Sequence, residues 1–323
     1  MKTYVRDQYG GPDVLYVEEM ALPAPKANEV LIKVNALSLN PAEWHILRGS
    51  IWLIRLGHGL LAPRRKTLGG DVAGVVVAVG HKVQGLAIGQ RVFGRAQRCC
   101  QGEYACLAAS RAALIPDGVS FKQAAALPLA AMTAQEALQQ HGPLKQGTRV
   151  LINGASGGIG TMAVQLARQA GAIVHGVCSS HNSPMVQRLG AHRVFHYDQD
   201  GLSHINEAYD LVIDLVGNWT ARQIKRWLNT SGKSIMVGFS NFKHMLGYMF
   251  WGMLFNKRRR QFATLNAQTT RQGLEKVASL TAERRLEPVI DRTYPFALLP
   301  EAYQYLGTRR AKGKVVVTLH NAD

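Results

Sequence analysis

Residues 149–178 read RVLINGASGGIGTMAVQLARQAGAIVHGVC. An apolar run at 149–153 leads into a glycine-rich turn, Ala155-Ser156-Gly157-Gly158-Ile159-Gly160. A helical stretch over 159–170 follows and stops at Gly171, a residue suited to the left-handed position after a helix. A second apolar run, 173–178, completes a strand–turn–helix–strand unit. The turn matches GxGxxG with alanine in first place, and the context is that of a dinucleotide-binding βαβ unit. Glycine is needed where the backbone approaches a pyrophosphate and where helix packs on strand. The helix N-terminus then offers free N–H groups and a positive dipole end. Ala155, Ser156, Gly157, Gly158 and Ile159 are therefore the expected phosphate-contacting residues. A turn that merely permits close packing is the plainer alternative.

Working outward, strands and helices keep alternating. Residues 122–140 carry Ala, Leu and Met at helical spacing, 183–190 form a short helix with Pro184 in its first turn, and 194–197, 211–215 and 234–237 are strands. Such alternation predicts an α/β, doubly wound parallel sheet covered by helices. The chain before it is different. Segments 30–34, 72–79 and 90–93 are short, β-branched and punctuated by Gly and Pro. The run GGDVAGVVVAVG (69–80) is apolar enough for burial on both faces. After the α/β part come an amphipathic helix over 270–285 and a last strand, 314–319. The expected organisation is a β-rich domain from 1–119 and 265–323 around a dinucleotide-binding domain, 120–264.

The end of the second strand bears on the cofactor. An acidic residue there bonds the ribose 2′-hydroxyl, and its absence admits a 2′-phosphate. The sequence has Cys178-Ser179-Ser180-His181-Asn182. Ser179, Ser180 and His181 can donate to a phosphate, so NADPH is expected ahead of NADH. Leu215-Val216 and Val237-Gly238-Phe239 follow predicted strands, where the ligand crevice of such sheets lies. The GASGGIG turn is also similar to that of short-chain dehydrogenases, but those place it near the N-terminus and add a YxxxK pair, and neither feature is present.

Composition bounds the rest. The 323 residues are 47% hydrophobic and 18% charged, as in a folded chain of about two domains. No apolar run approaches the ~18 residues of a membrane span. The start, MKTYVRDQYGGPD, is too polar for a secretory signal. Cys99, Cys100, Cys106 and Cys178 show no CxxC and fit a reducing, cytoplasmic setting. The net charge of +17 favours polyanions or is that of an ordinary basic enzyme.

Taken together, ALSLNPAEWHILRG, LGGDVAGVVVAVG, GQRVFG, GEYA, AALPLAAMTAQEAL, the glycine-rich turn and GKVVV resemble the medium-chain dehydrogenase/reductase superfamily over nearly the whole chain. The resemblance implies a GroES-like β domain built from both chain ends, a central Rossmann domain and an active site in the cleft between them. Where zinc alcohol dehydrogenases bind catalytic zinc, the matching residues are Asn40, Gly70 and Leu129, which are poor ligands, and the four-cysteine loop is absent. The zinc-free quinone oxidoreductase branch is the better match. A quinone or activated enone accepts hydride without a Lewis acid, whereas simple carbonyl chemistry is harder without one.

The resemblance also implies roles. Asn40 is similar to an Asn near the nicotinamide, and equally reads as a turn residue before Pro41. Thr133 matches a Thr set against the nicotinamide, or is a helix-surface threonine. Tyr197 matches a tyrosine at the adenosine end. Gly313-Lys314 resembles a GK pair approaching the cofactor, or Lys314 is a solvated strand-end charge. Asp71 reads as an acid–base group or as the partner of a nearby Arg. Trp44 and His45 line a substrate pocket or pack. Relatives are often dimers.

Residues 239–262, FSNFKHMLGYMFWGMLFNKRRRQF, join a ~11-residue apolar run, too short for a bilayer, to four cations. A buried helix, a substrate lid or a membrane-interface element fits this composition. The mixture recurs at 51–56, which contains Trp52, and both segments suit a lipophilic quinone entrance with peripheral contact to anionic membranes. The leading reading is thus a zinc-independent, NADPH-dependent reductase of quinones or enones. An NAD(P)-dependent alcohol or carbonyl dehydrogenase is one alternative. A nucleotide-dependent RNA- or membrane-binding protein without turnover is another, although no RNA-binding motif is present.

Overall fold

A computed structural model describes residues 1–96, 100–238, 242–259, 262–265 and 267–319; the side chains of 200, 242, 243 and 255–259 lie outside that description. The chain divides into two compact units, residues 1–129 with 269–323, and residues 130–268.

In the first unit a seven-stranded sheet is built mainly from antiparallel pairs. Its order is Ile290–Pro295, Lys314–Thr318, Glu29–Leu39, Gly70–Val79, Arg91–Ala96 and Ala112–Leu114, with Tyr104–Ala108 also paired to Glu29–Leu39. Val30, Ile32, Val34, Val72, Val76, Val92 and Val315 form its dry core. Gly74 is required by a close approach: a Cβ there would sit 2.1 Å from the Lys33 carbonyl oxygen on the neighbouring strand. Register does the important positioning. Leu39 lies opposite Val315, Ser38 opposite Asp71, and Asp71 opposite Arg95. Four strands therefore deliver Asn40, Asp71, Arg95 and Lys314 to one edge of the sheet. The helix Pro41–Arg48 begins directly after Asn40, and Arg6 donates to the Leu47 carbonyl at its far end, 2.7 Å. That guanidinium serves an orphan carbonyl and the negative end of the helix dipole.

In the second unit six strands run parallel in the order Arg193–His196, Ile173–Cys178, Arg149–Asn153, Tyr209–Asp214, Leu228–Met236 and Phe262–Thr264. Counted within the unit this is 3-2-1-4-5-6, the doubly wound dinucleotide-binding order. The central strands are buried on both faces, as the continuous Val, Leu and Ile runs predict. The α/β class and the pairing of a GroES-like sheet with a Rossmann sheet are those expected.

Two expectations shift. The helical stretch over 122–140 is two helices, Phe121–Ala125 and Pro128–Gln139. Pro128 has no N–H and cannot continue the first, but it fits the first turn of the second. The shorter helix contacts strands Glu29–Leu39 and Gly70–Val79, so the β unit extends past residue 119.

His175, on strand Ile173–Cys178, is buried beside the Tyr209 hydroxyl, Nδ1 to oxygen 2.9 Å. Burial holds its pKa below the usual value, with Arg193 and His192 adding to the effect and Glu207 opposing it. His45 and His141 are lowered by burial too. The unfolded chain then binds more protons than the folded one below about pH 6.5, so stability falls as pH drops through that window. Urea titrations from neutral pH to about pH 5.5 should show the decline, and His175→Gln should lessen it, leaving the shares of His45 and His141. Equal midpoints across the range would contradict the burial argument.

Candidate functional site

The second unit gathers its expected ligand residues at the carboxyl edge of the sheet. After strand Arg149–Asn153 the chain turns through Gly154, at φ +79°, into the helix Gly158–Gln169. The N–H groups of Gly154 and Ala155 both donate to the Val177 carbonyl, tying the turn to the next strand. Gly160 packs so tightly that a Cβ would lie 2.1 Å from the Gly154 carbonyl oxygen. Gly157 is the N-cap and supplies no side chain, so no side chain caps the helix start. A bare, twelve-residue helix start behind a glycine cradle fits a dinucleotide pyrophosphate.

The neighbouring loops complete this edge. Ser179, Ser180 and His181 follow strand Ile173–Cys178, and the Asn182 amide donates to Ser156 Oγ at 3.2 Å. Tyr197 follows the third strand and is exposed. Leu215 and Val216 follow the fourth. Val237 and Gly238 follow the fifth, and a Cβ on Gly238 would stand 2.4 Å from the Leu215 carbonyl oxygen. Phe239 lies outside the described residues.

Two carboxylates that sequence reasoning missed hold these loops. Asp214, fully buried, accepts from Asn153 Nδ2 at 2.8 Å and from the N–H groups of Val216 and Gly217 at 3.1 and 2.8 Å. Burial raises its pKa, and these donors pull against that rise. Asp198, from the third strand's end, accepts from the Ser180 N–H at 2.9 Å and from its hydroxyl at 2.8 Å. Those bonds draw its pKa below the usual carboxylate range. An acid thus does reach the loop after the second strand, eighteen residues away in sequence. Ser180 spends its hydroxyl proton on that carboxylate. Burial, and then Asp198, push the Cys178 thiol up to about 11, which favours the thiol over the thiolate.

The first unit holds a second polar cluster. Asp71 is fully buried and sits at its centre. It accepts from Asn40 Nδ2 at 3.1 Å and from the Leu129 N–H at 3.2 Å, and pairs with Arg95 at 3.4 Å and Lys314 at 3.5 Å. Lys314 also donates to Asn40 Oδ1. Arg95 closes the cluster with a 2.7 Å bond to Glu43. Glu43 lies one turn from Asn40 and shares the buried face of its helix with Leu47. Desolvation lowers the Lys314 pKa, while Asp71 and Glu43 oppose it. Desolvation raises that of Glu43, with Arg95 opposing. Gly313 enters at φ +85°, where a Cβ would meet the Val289 carbonyl oxygen at 2.2 Å.

Asn40 is the helix N-cap, yet its side chain makes no cap bond and is spent on Asp71 and Lys314. Lys314 is 3% exposed and is not a solvated charge. Asp71 makes the expected ion pair with an arginine, Arg95, and accepts from Asn40 and Leu129 as well. Trp44 stacks on Tyr303 with ring centroids 6.4 Å apart and under Arg48, which is packing. His45 is half-buried beside it, and Trp52 is 58% exposed on the helix Trp52–His58. Thr133 is buried, not on a helix surface.

A zinc ion does not fit the three positions where the resemblance would place its ligands. Gly70 has no side chain, Leu129 contributes only an N–H already given to Asp71, and the Asn40 oxygen accepts from an ammonium. The local positive charge is supplied by Lys314 and Arg95.

Comparison with known proteins bears on the family. Residues 26–135 match the alcohol dehydrogenase GroES-like domain, and residues 189–317 match the family described as zinc-binding dehydrogenase. The chain is 30% identical to the mitochondrial NAD(P)H oxidoreductase RTN4IP1 of Bos taurus, over 99% of this chain and 89% of that one. It is 30% identical to the chloroplastic NADPH-dependent alkenal/one oxidoreductase of Arabidopsis thaliana, over 98% and 79%. Among solved structures, the quinone oxidoreductase from Coxiella burnetii superposes with a TM-score of 0.89 at 32% identity, covering 99% of each chain.

Proposed function

The chain belongs to the medium-chain dehydrogenase/reductase superfamily, in its quinone oxidoreductase-like branch, and is an oxidoreductase; from that premise we propose that it reduces quinones or activated enones with NADPH, without a metal. The observation that carries this reading is the Lys314–Asn40–Asp71 cluster, a protein-borne charge network where a metal-dependent relative needs ligands. Names of relatives support the acceptor class, since one is a quinone oxidoreductase and another an alkenal/one oxidoreductase.

Bound NADPH supplies the hydride. The chain's own residues bind and orient. Backbone N–H groups of Gly158 and Ile159, the first residues of the helix, take the pyrophosphate, while the Gly157 N–H closes the turn onto the Gly154 carbonyl, and the loops at Ser179–His181, Tyr197, Leu215–Val216 and Val237–Gly238 frame the rest of the nucleotide. The Asn40 amide N–H groups face Asp71 and Glu43, and its oxygen accepts from Lys314, which leaves one oxygen lone pair. That lone pair serves the N–H of a nicotinamide carboxamide. Lys314 and the two carboxylates hold the amide in that orientation. Thr133 is the second polar group assigned to the nicotinamide. Orientation and exclusion of water account for most of the rate gain.

Oxidation of NADPH and NADH by chelator-treated protein, with a short-chain quinone and an enone, tests the reading. Turnover with NADPH on either acceptor supports it. Turnover that vanishes on chelation and returns with zinc, or that prefers a simple ketone, would replace it with the dehydrogenase alternative.

Asp198 sets the cofactor ratio in this reading. Its carboxylate beside Ser180 repels a 2′-phosphate and withholds the serine proton. Asp198→Asn should raise kcat/KM for NADPH over NADH by about tenfold, the size of ~1.4 kcal/mol. An unchanged ratio would place the ribose away from Ser180.

A further inference from the structure

The helix Phe242–Arg259 takes no part in the chemistry above. Its inner stripe is Tyr248 and Gly252. The Tyr248 hydroxyl donates to Ser234, and Gly252 lies against Phe262. The opposite stripe is Leu246, Met249, Phe250 and Met253, spaced i, i+3, i+4 and i+7, so the four share one face. Each is about half exposed or more, from 48% at Leu246 to 61% at Met253. The sequence allowed a buried helix here; the structure instead turns its apolar face to solvent. Contiguous apolar faces of this kind mark interaction sites.

Charge says what covers the face. Residues 215–274 contain ten Lys and Arg and no Asp or Glu. On the other side of the helix, toward Thr220 and Arg222, a cleft of about 400 Å³ is lined by those residues with His244, Tyr248 and Trp251. Arg222 stands over the Trp251 ring at 5.2 Å. The Trp251 ring meets Phe250 of the stripe edge-on at 5.7 Å, so the cation–indole pair connects round the helix to the apolar face; ring and alkyl groups suit the acyl boundary, and a guanidinium the phosphate level. A second copy would bring together two segments that each carry ten cations and no acid. A nucleic acid would neutralise the charge but leave Leu, Met and Phe in water. An anionic bilayer answers both needs. The helix cannot cross that bilayer, since no helix among the described residues is long and apolar enough.

We propose that the face formed by Leu246, Met249, Phe250 and Met253, with Arg222 in the adjoining cleft, docks on anionic phospholipid membranes. The helix lies in the plane of the surface and a lipid phosphate seats at Arg222. The inference is independent of which acceptor the enzyme reduces.

Co-sedimentation of the full chain with vesicles of phosphatidylcholine, alone or mixed with phosphatidylglycerol, tests it. Binding is expected to the mixed vesicles, to weaken with salt, and to be absent with phosphatidylcholine alone. Combined Met249→Ser, Phe250→Ser and Met253→Ser should keep the melting temperature, because these side chains are exposed, and weaken vesicle binding at least about tenfold. Arg222→Glu should weaken it as well. The proposal is overturned if mixed vesicles are not bound at low salt, or if the triple variant binds them as tightly as the unsubstituted protein. It is also overturned if that variant changes only the oligomeric state or only RNA binding.

Discussion

Replacing Asp71 with alanine is expected to cost about 3–5 kcal/mol of folding stability, the range for breaking a buried ion pair by removing one partner. Asp71 is fully buried and meets Asn40, Leu129, Arg95 and Lys314. Without it, Arg95 keeps its bond to Glu43 and is a quarter exposed, but Lys314 keeps the Asn40 oxygen and the more distant charge of Glu43, with no ion-pair contact of its own. The buried ammonium then sheds its proton more readily. Its pKa is already lowered by desolvation, with Asp71 the foremost opposing charge. Between that lowered value and 10.5 the unfolded chain binds more protons than the folded one, so the stability of Asp71→Ala should rise as pH increases. Adding Lys314→Met should restore part of the loss, because it removes the stranded charge. Urea unfolding of the four proteins measures the cycle. A loss below about 1 kcal/mol, the ceiling of exposed pairs, would mean that water reaches the cluster.

The sequence led to Asp71 and to Lys314, but not to their partners. Cross-strand register chooses Arg95 for Asp71, and antiparallel addition of the last strand brings Lys314 beside Asn40, 274 residues earlier. Neither pairing has a spacing that a linear reading can detect. Asp198 was missed for a related reason. The rule for the ribose acid looks at the end of the second strand, whereas parallel pairing sets the end of the third beside it. The dinucleotide turn was legible because all its constraints are local. Glycine positions, strand and helix fall within thirty consecutive residues. The apolar helix was legible as a pattern but not as a surface, since composition alone does not reveal which stripe meets the sheet.

Gly160 and Gly157 should fail in opposite ways. A Cβ on Gly160 would meet the Gly154 carbonyl oxygen at 2.1 Å and the Ala155 Cα at 2.7 Å. Both are backbone atoms that cannot rotate aside, so Gly160→Ala must push the helix Gly158–Gln169 off its strand. Overpacking of this kind costs about 1–3 kcal/mol, or several degrees in Tm for a unit of this size. Gly157 has φ −82°, ordinary for any residue, and a Cβ there meets only the Gly154 oxygen at 3.4 Å. Gly157→Ala should therefore fold and melt normally. Its methyl group would project from the uncapped helix start into the space the pyrophosphate needs, and dinucleotide affinity should fall at least about tenfold. Thermal melts and NADPH titrations of the two variants separate packing glycine from phosphate glycine. If Gly157→Ala binds NADPH as tightly as the unsubstituted protein, the phosphates do not approach this turn, and the glycines here serve helix–strand packing alone.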